Sequence, residues 1–245
     1  MKIKKKLDSE NHWISVSDLM SVLMMIFLFI SISYIRSVQV SKSKEIEAYE
    51  NNKTKIRRIV IAYRELQDDL YNDLYTEFKN DLPVWNAEID KNNLSIRFNE
   101  PDVLFEIGKT DVKDQFKNIL KIFFPRYIAI LTSEKYKANI AEIRIEGHTS
   151  SEWSGESNHT NRYFLNMELS QGRTRSVLSH CVQLINDPKV RSWTMQNITA
   201  NGLSFSKPIC DALGCEDTKR SRRVEFTTKT NAEKKIVEII ESMGE

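Results

Sequence analysis

A single carboxylate inside an apolar run is the first feature of this sequence that could do chemistry. Asp18 follows Trp13-Ile14-Ser15-Val16-Ser17 and precedes Leu19 to Ile35, a stretch without a charged residue. An ionised carboxylate at the centre of a membrane helix costs ~2.5–3.5 kcal/mol on insertion scales. Such a group must face protein or water, or carry a proton, and by default it is a candidate for an ion pathway. The alternative reading is an interfacial acid that caps the helix, because Asp18 is only the fifth residue of a span beginning at Ile14. Trp13, Ile14 and Val16 weigh against that reading, since three apolar residues already precede the acid.

The remaining reactive residues are few. Cys210 and Cys215 lie five apart in a loop-like stretch, while Cys181 falls in a helical pattern. In an oxidising compartment a Cys210–Cys215 disulfide is one expectation; three unpaired thiols are the other. No histidine stands at zinc-ligand spacing to the pair, so no metal site is expected. No paired acids, metal cluster or nucleophile–base arrangement is visible, and an enzyme is not expected. His148 reads as structural, because no serine or cysteine nucleophile pattern accompanies it.

These residues need elements to hold them. Ile14 to Ile35 is 22 residues long, and a bilayer crossing takes about 20 apolar residues. Backbone groups in lipid must be satisfied internally, so the segment is predicted as a transmembrane helix over 14–36. Lys2, Lys4, Lys5 and Lys6 suit a cytoplasmic N-terminus at 1–13, with the bulk of the chain on the far side. The apolar region is too long for a cleaved signal, and no small-residue cleavage site follows it. Charge is balanced, with 36 basic and 34 acidic side chains, which gives no global argument for nucleic-acid binding.

Residues 37–80 contain no Gly or Pro and are dense in charge, so a helical linker is predicted. Ile56, Ile59, Tyr63, Leu66 and Leu70 form a short heptad seam, suited to pairing with a second copy in a coiled coil. The same seam would serve one amphipathic helix packed on its own domain. If wholly helical, the linker would span about 66 Å at 1.5 Å per residue. Pro83 ends it. Trp85, Ala87 and Ile89, then Leu94, Ile96 and Phe98, alternate around Asp90-Lys91-Asn92-Asn93 as a strand hairpin. Helices are predicted at 111–131, 161–186 and 232–243, and strands around Ile143 and Ile145, at 198–201 and at 223–230. The fold class is α/β, with helices packed on a sheet in one domain over 81–245.

Two parts of the chain carry a family resemblance. Ile145-Glu146-Gly147-His148-Thr149, Asn166-Met167-Glu168-Leu169-Ser170-Gln171-Gly172-Arg173 and Arg222-Arg223-Val224-Glu225-Phe226, in that order, resemble the OmpA-like peptidoglycan-binding domain over roughly 83–230. Trp13, Asp18, Met20, Leu23, Met24 and Phe27 resemble the single span of MotB-type stator subunits. An acidic anchor followed by an OmpA-like domain is the MotB architecture. The charged linker, the two late cysteines and the wording Asn166 to Gln171 look most like the MotB-like subunits of Zorya anti-phage systems.

The resemblance implies a homodimer inside a MotA-like (ZorA-like) pentamer, anchored to peptidoglycan from the bacterial inner membrane. Asp18 would carry the ion, a proton or sodium, and the pentamer would turn around the dimer. A flagellar stator subunit, or a passive wall tether without transport, is the alternative. At the wall, the family holds the charged ends of a diaminopimelate side chain with an acid and an arginine. Arg173 matches the arginine, and a guanidinium offers a planar fork to a carboxylate. Asn166 and Leu169 share its helix face. Of Arg222 and Arg223, strand alternation sends one into the site and the other to solvent. The family's acid is replaced by Ser150; either Glu152 substitutes for it, or the long loop from Ser150 to Thr160 supplies other contacts. No cofactor is implied.

Overall fold

The computed structural model describes residues 3–99, 104–231 and 237, with side chains from residue 16 onward. It divides into two compact units, Met1–Arg58 and Ile59–Glu245.

The first unit is helical throughout its described residues and belongs to α1, Ile3–Phe78. No Gly or Pro occurs before Pro83, so nothing in the sequence interrupts the hydrogen-bond ladder. Its most apolar 18-residue window has a mean hydropathy of 2.1. Ser21 Oγ donates to the Ser17 carbonyl at 2.9 Å, which satisfies a hydroxyl within the helix itself.

The second unit takes in the last part of α1. Tyr63, Leu70, Leu74 and Phe78 are buried, and Leu66 packs partly buried beside them. Their spacing of three or four puts them on one helix face. The heptad seam is therefore covered at Tyr63 and Leu70, and partly at Leu66, by the chain's own domain. The reason lies C-terminal to the seam: Leu74 and Phe78 continue the same stripe directly into the core. The folded unit accordingly begins at Ile59, inside the stretch predicted as linker.

The sheet has five strands in the order β1-β2-β5-β3-β4, formed by β1 Ala87–Asp90, β2 Ser95–Phe98, β3 Ile140–His148, β4 Ile198–Gly202 and β5 Arg223–Thr230. β3 and β4 are parallel, and every other pair is antiparallel. Helices α2, Asp114–Leu131, and α3, His159–Gln183, supply the other layer. Phe98, Phe116, Phe123, Tyr127 and Phe226 meet edge-on or stacked at ring separations of 5.1–6.1 Å. Such aromatic pairs add about 0.5–1.5 kcal/mol each beyond their buried area.

Helix boundaries differ from expectation for local reasons. α2 starts at Asp114 because Val112 instead bridges back to Phe105. α3 starts at His159 because Asn158 caps it, accepting from the Thr160 and Asn161 amides. A further helix, α4, Pro188–Asn197, is capped by Asp187; Asp-Pro is an N-cap followed by a residue suited to the first helical position. One turn, α5, Thr218–Ser221, precedes β5. The helix predicted at 232–243 lies outside the described residues apart from residue 237.

Candidate functional site

At one end of β3 the chain leaves the sheet through Thr149, Ser150 and Ser151. The start of α3 and the loop between Leu104 and Val112 lie beside this exit. Together they enclose a groove of about 590 Å³, lined by Phe105, Ile107, Gly108, Thr149, Ser150, Glu152, Trp153, Ser154, Asn166, Leu169, Arg173 and Arg222. Three hydrogen-bonded ties set its walls. Asn166 Nδ2 donates to the Glu152 carbonyl at 3.4 Å. The Ser151 amide and hydroxyl both donate to the Glu216 carboxylate. Thr149 donates its amide to the Ser204 carbonyl at 2.9 Å. Gly108, at φ +71°, takes the turn that lets the opposite loop fold over the groove.

Arg173 is the clasp of that loop. Its Nε donates to the Lys109 carbonyl at 3.0 Å, its Nη2 donates to the Glu106 carbonyl at 3.2 Å, and its plane lies 4.8 Å over the Phe105 ring. Burial, and then the positive charge of Arg222, lower its pKa to about 10. No carboxylate neutralises it among the described residues. Arg222 Nη1 stands 4.0 Å from a Glu152 oxygen, and its buried Nε has no protein partner. Two guanidiniums, both short of a full countercharge, thus converge on one concavity. Such an arrangement is complementary to a ligand carboxylate.

Beneath the groove, the sheet face away from α3 carries a row of buried charge. Arg97 Nε and Arg223 Nε both donate to Glu225 Oε1, at 2.9 and 2.5 Å, and Arg97 also reaches Glu88. Burial alone would raise the Glu225 pKa; the bond and charge of Arg223, with the charge of Arg97, overcome this and hold it below the usual range. Thr227 donates to Glu146. His148 is buried beside them with neither ring nitrogen partnered, and burial, then the charge of Arg223, lower its pKa to about 3. Glu146, His148 and Glu225 place their potential ligand atoms within 4.8 Å of one another. Arg97 and Arg223 already supply cationic charge to this cluster, which disfavours a metal ion there.

No protein-family model matches the chain. It is 47% identical to Zorya protein ZorB of Escherichia coli, over 97% of this chain and 95% of that one. The chain belongs to the ZorB family. Solved structures similar to this ZorB-family chain include a MotB-like protein from Desulfovibrio vulgaris (25% identity, 68% of this chain and 96% of that one, TM-score 0.47). Another is the periplasmic domain of Helicobacter pylori MotB (18%, 60% and 84%, TM-score 0.40).

All six residues expected at a wall site in this ZorB-family chain line the one groove: Ser150, Glu152, Asn166, Leu169, Arg173 and Arg222. Leu169 is half-buried there and stands outside the core. Arg223, expected to share alternation with solvent, is buried. Strand period two brings it onto Glu225, two residues along the same face. Trp153 belongs to the loop expected over 150–160, one of the two expected sources of contacts. Nothing in the sequence marks Phe105, Ile107 and Gly108, because no spacing identifies a loop residue that crosses from another element. Glu216 was missed for the same reason.

Of the two expectations for the late cysteines, the structure has the unpaired one: Cys210 and Cys215 are free and exposed. Cys210 pairs across from Glu216, and Cys215 immediately precedes Glu216, so alternation directs the two thiols to opposite sides. Cys181 is buried. Asp18 is exposed on the helix, within the apolar segment. Beside it Ser17, Met20, Ser21, Leu23, Met24 and Phe27 form a shallow surface.

Proposed function

We propose that this ZorB-family chain is the peptidoglycan-anchored, ion-coupled subunit of an inner-membrane stator complex that acts in anti-phage defence. The observation that carries the reading is the groove in which Arg173 and Arg222 converge without a full countercharge, in a chain whose apolar helix bears one acid, Asp18. The arginine pair takes the carboxylate of a diaminopimelate side chain, with Asn166 holding the groove wall and Leu169 lining it. Asp18 takes up and releases a proton, or coordinates sodium. One charge crossing 100 mV is worth about 2.3 kcal/mol, so a few ions suffice for a mechanical step.

A single span with one acid cannot enclose a pore. The chain works as a homodimer within a MotA-like, ZorA-like pentamer, which turns around the wall-held dimer. Lys2, Lys4, Lys5 and Lys6 keep the N-terminus in the cytoplasm and place the groove in the periplasm.

Phage-challenge plating of cells carrying the natural system tests the reading. Asp18→Asn should insert and accumulate normally yet lose protection by orders of magnitude. Arg173→Ala should lose both protection and co-sedimentation with purified sacculi. Full protection by Asp18→Asn would leave a passive tether as the function.

A further inference from the structure

Among the described residues, the groove is short of negative charge where a ligand's amine would sit. Among the described residues lining it, Arg173 and Arg222 are cationic and Glu152 is the one carboxylate. Glu152 is 66% exposed and already faces Arg222 at 4.0 Å, so it stands at the rim. The floor beside the arginines is polar but neutral: Thr149, Ser150 and Asn166 are each at least nine-tenths buried, and Thr149 Oγ1 has no partner. The buried acids of the neighbouring sheet face are engaged elsewhere, Glu225 by Arg97 and Arg223, and Glu146 by Thr227.

In a wall peptide the side-chain carboxylate and amine of diaminopimelate share one carbon. A ligand that brings its carboxylate to the arginines therefore brings the nitrogen to this floor. Among the described residues, an ammonium there would find Glu152 only at the rim and Glu216 already held by the Ser151 amide and hydroxyl, and it would lie desolvated beside two guanidiniums. An amide N–H carries no charge, and hydroxyl or amide oxygens accept from it directly. The rim also suits an acyl group. Ile107 is 92% exposed, and with Trp153 and Leu169 it offers apolar surface at the mouth of the groove.

We infer that the groove selects diaminopimelate whose side-chain amine is acylated, as at a cross-link between two stem peptides, over the same residue with a free ammonium. This rests on the wall-binding reading above and narrows its ligand class.

The full chain in lipid nanodiscs is titrated by calorimetry with three disaccharide–tetrapeptides. One has the free side-chain amine, one has that amine acetylated, and one has the side-chain carboxylate amidated. The acetylated ligand should bind at least fivefold more tightly than the free amine, and the amidated ligand at least tenfold more weakly than the acetylated one. Ser150→Asp should reverse the order of the first two, while Ser150→Asn, neutral like serine, should preserve it. Equal or tighter binding of the free amine by the natural chain overturns the inference and leaves wall binding intact. Binding of none of the three overturns the wall-binding reading as well.

Discussion

His148 sits buried with both ring nitrogens unpartnered and its pKa lowered to about 3. In the unfolded chain the imidazole titrates near 6.5. Between those values the unfolded state binds the proton and the folded state does not, so stability is full above about pH 6.5 and falls as pH drops toward 3. His148→Gln should flatten this slope, which for one proton is at most about 1.4 kcal/mol per pH unit. Thermal unfolding followed by tryptophan fluorescence at pH 7 and pH 5 reads it. Arg173 should prove sensitive even to a conservative change. Lysine keeps the charge, but one ammonium cannot donate to the Glu106 and Lys109 carbonyls and also present a fork to a ligand. Arg173→Lys should weaken sacculus co-sedimentation at least tenfold and cost about 1–3 kcal/mol of stability. The motif carrying Arg173 was legible because its spacing is fixed by one helix. Arg223 was read only halfway: alternation predicted opposite faces, but no local pattern says that the second face is also buried.

At the scale of elements, the close approach of α3 to the sheet governs the groove. A Cβ on Gly202 would lie 2.6 Å from Gln171 Cα and 2.8 Å from Ser170 Oγ, and one on Gly147 would meet Thr174 Cγ2 at 2.6 Å. Backbone cannot step aside as a flexible side chain can, so Gly202→Ala should push β4 from α3 and cost about 1–3 kcal/mol. A lowered melting temperature, together with weaker sacculus binding, would show that the helix had moved. The long helices were legible from periodicity and from the absence of Gly and Pro. α4 was not, although Asp187 and Pro188 form a start signal, because ten residues with one buried side chain, Thr194, give little periodicity.

At the scale of the molecule, the compact unit begins at Ile59 and not where the hairpin starts. Leu70, Leu74 and Phe78 are fully buried in its core. A soluble fragment from Ile59 should fold cooperatively, whereas one from Asp81 should aggregate or melt far lower. Circular dichroism melts of the two fragments decide this. The sequence displayed the stripe but not its partner, since a heptad seam reads alike whether it meets a second copy or its own sheet. How α1 meets this unit also determines how the unit resists pulling. Tyr63 Oη donates to Asn231 Oδ1 at 2.5 Å, just past the end of the central strand β5. Arg126 grips Glu77 and Asp81 near the other end of the packed stretch, and the buried side chains fall between. A tug along the helix axis therefore loads these attachments side by side, in shear, so they must yield together. Peeled from one end, they would yield in turn at much lower force.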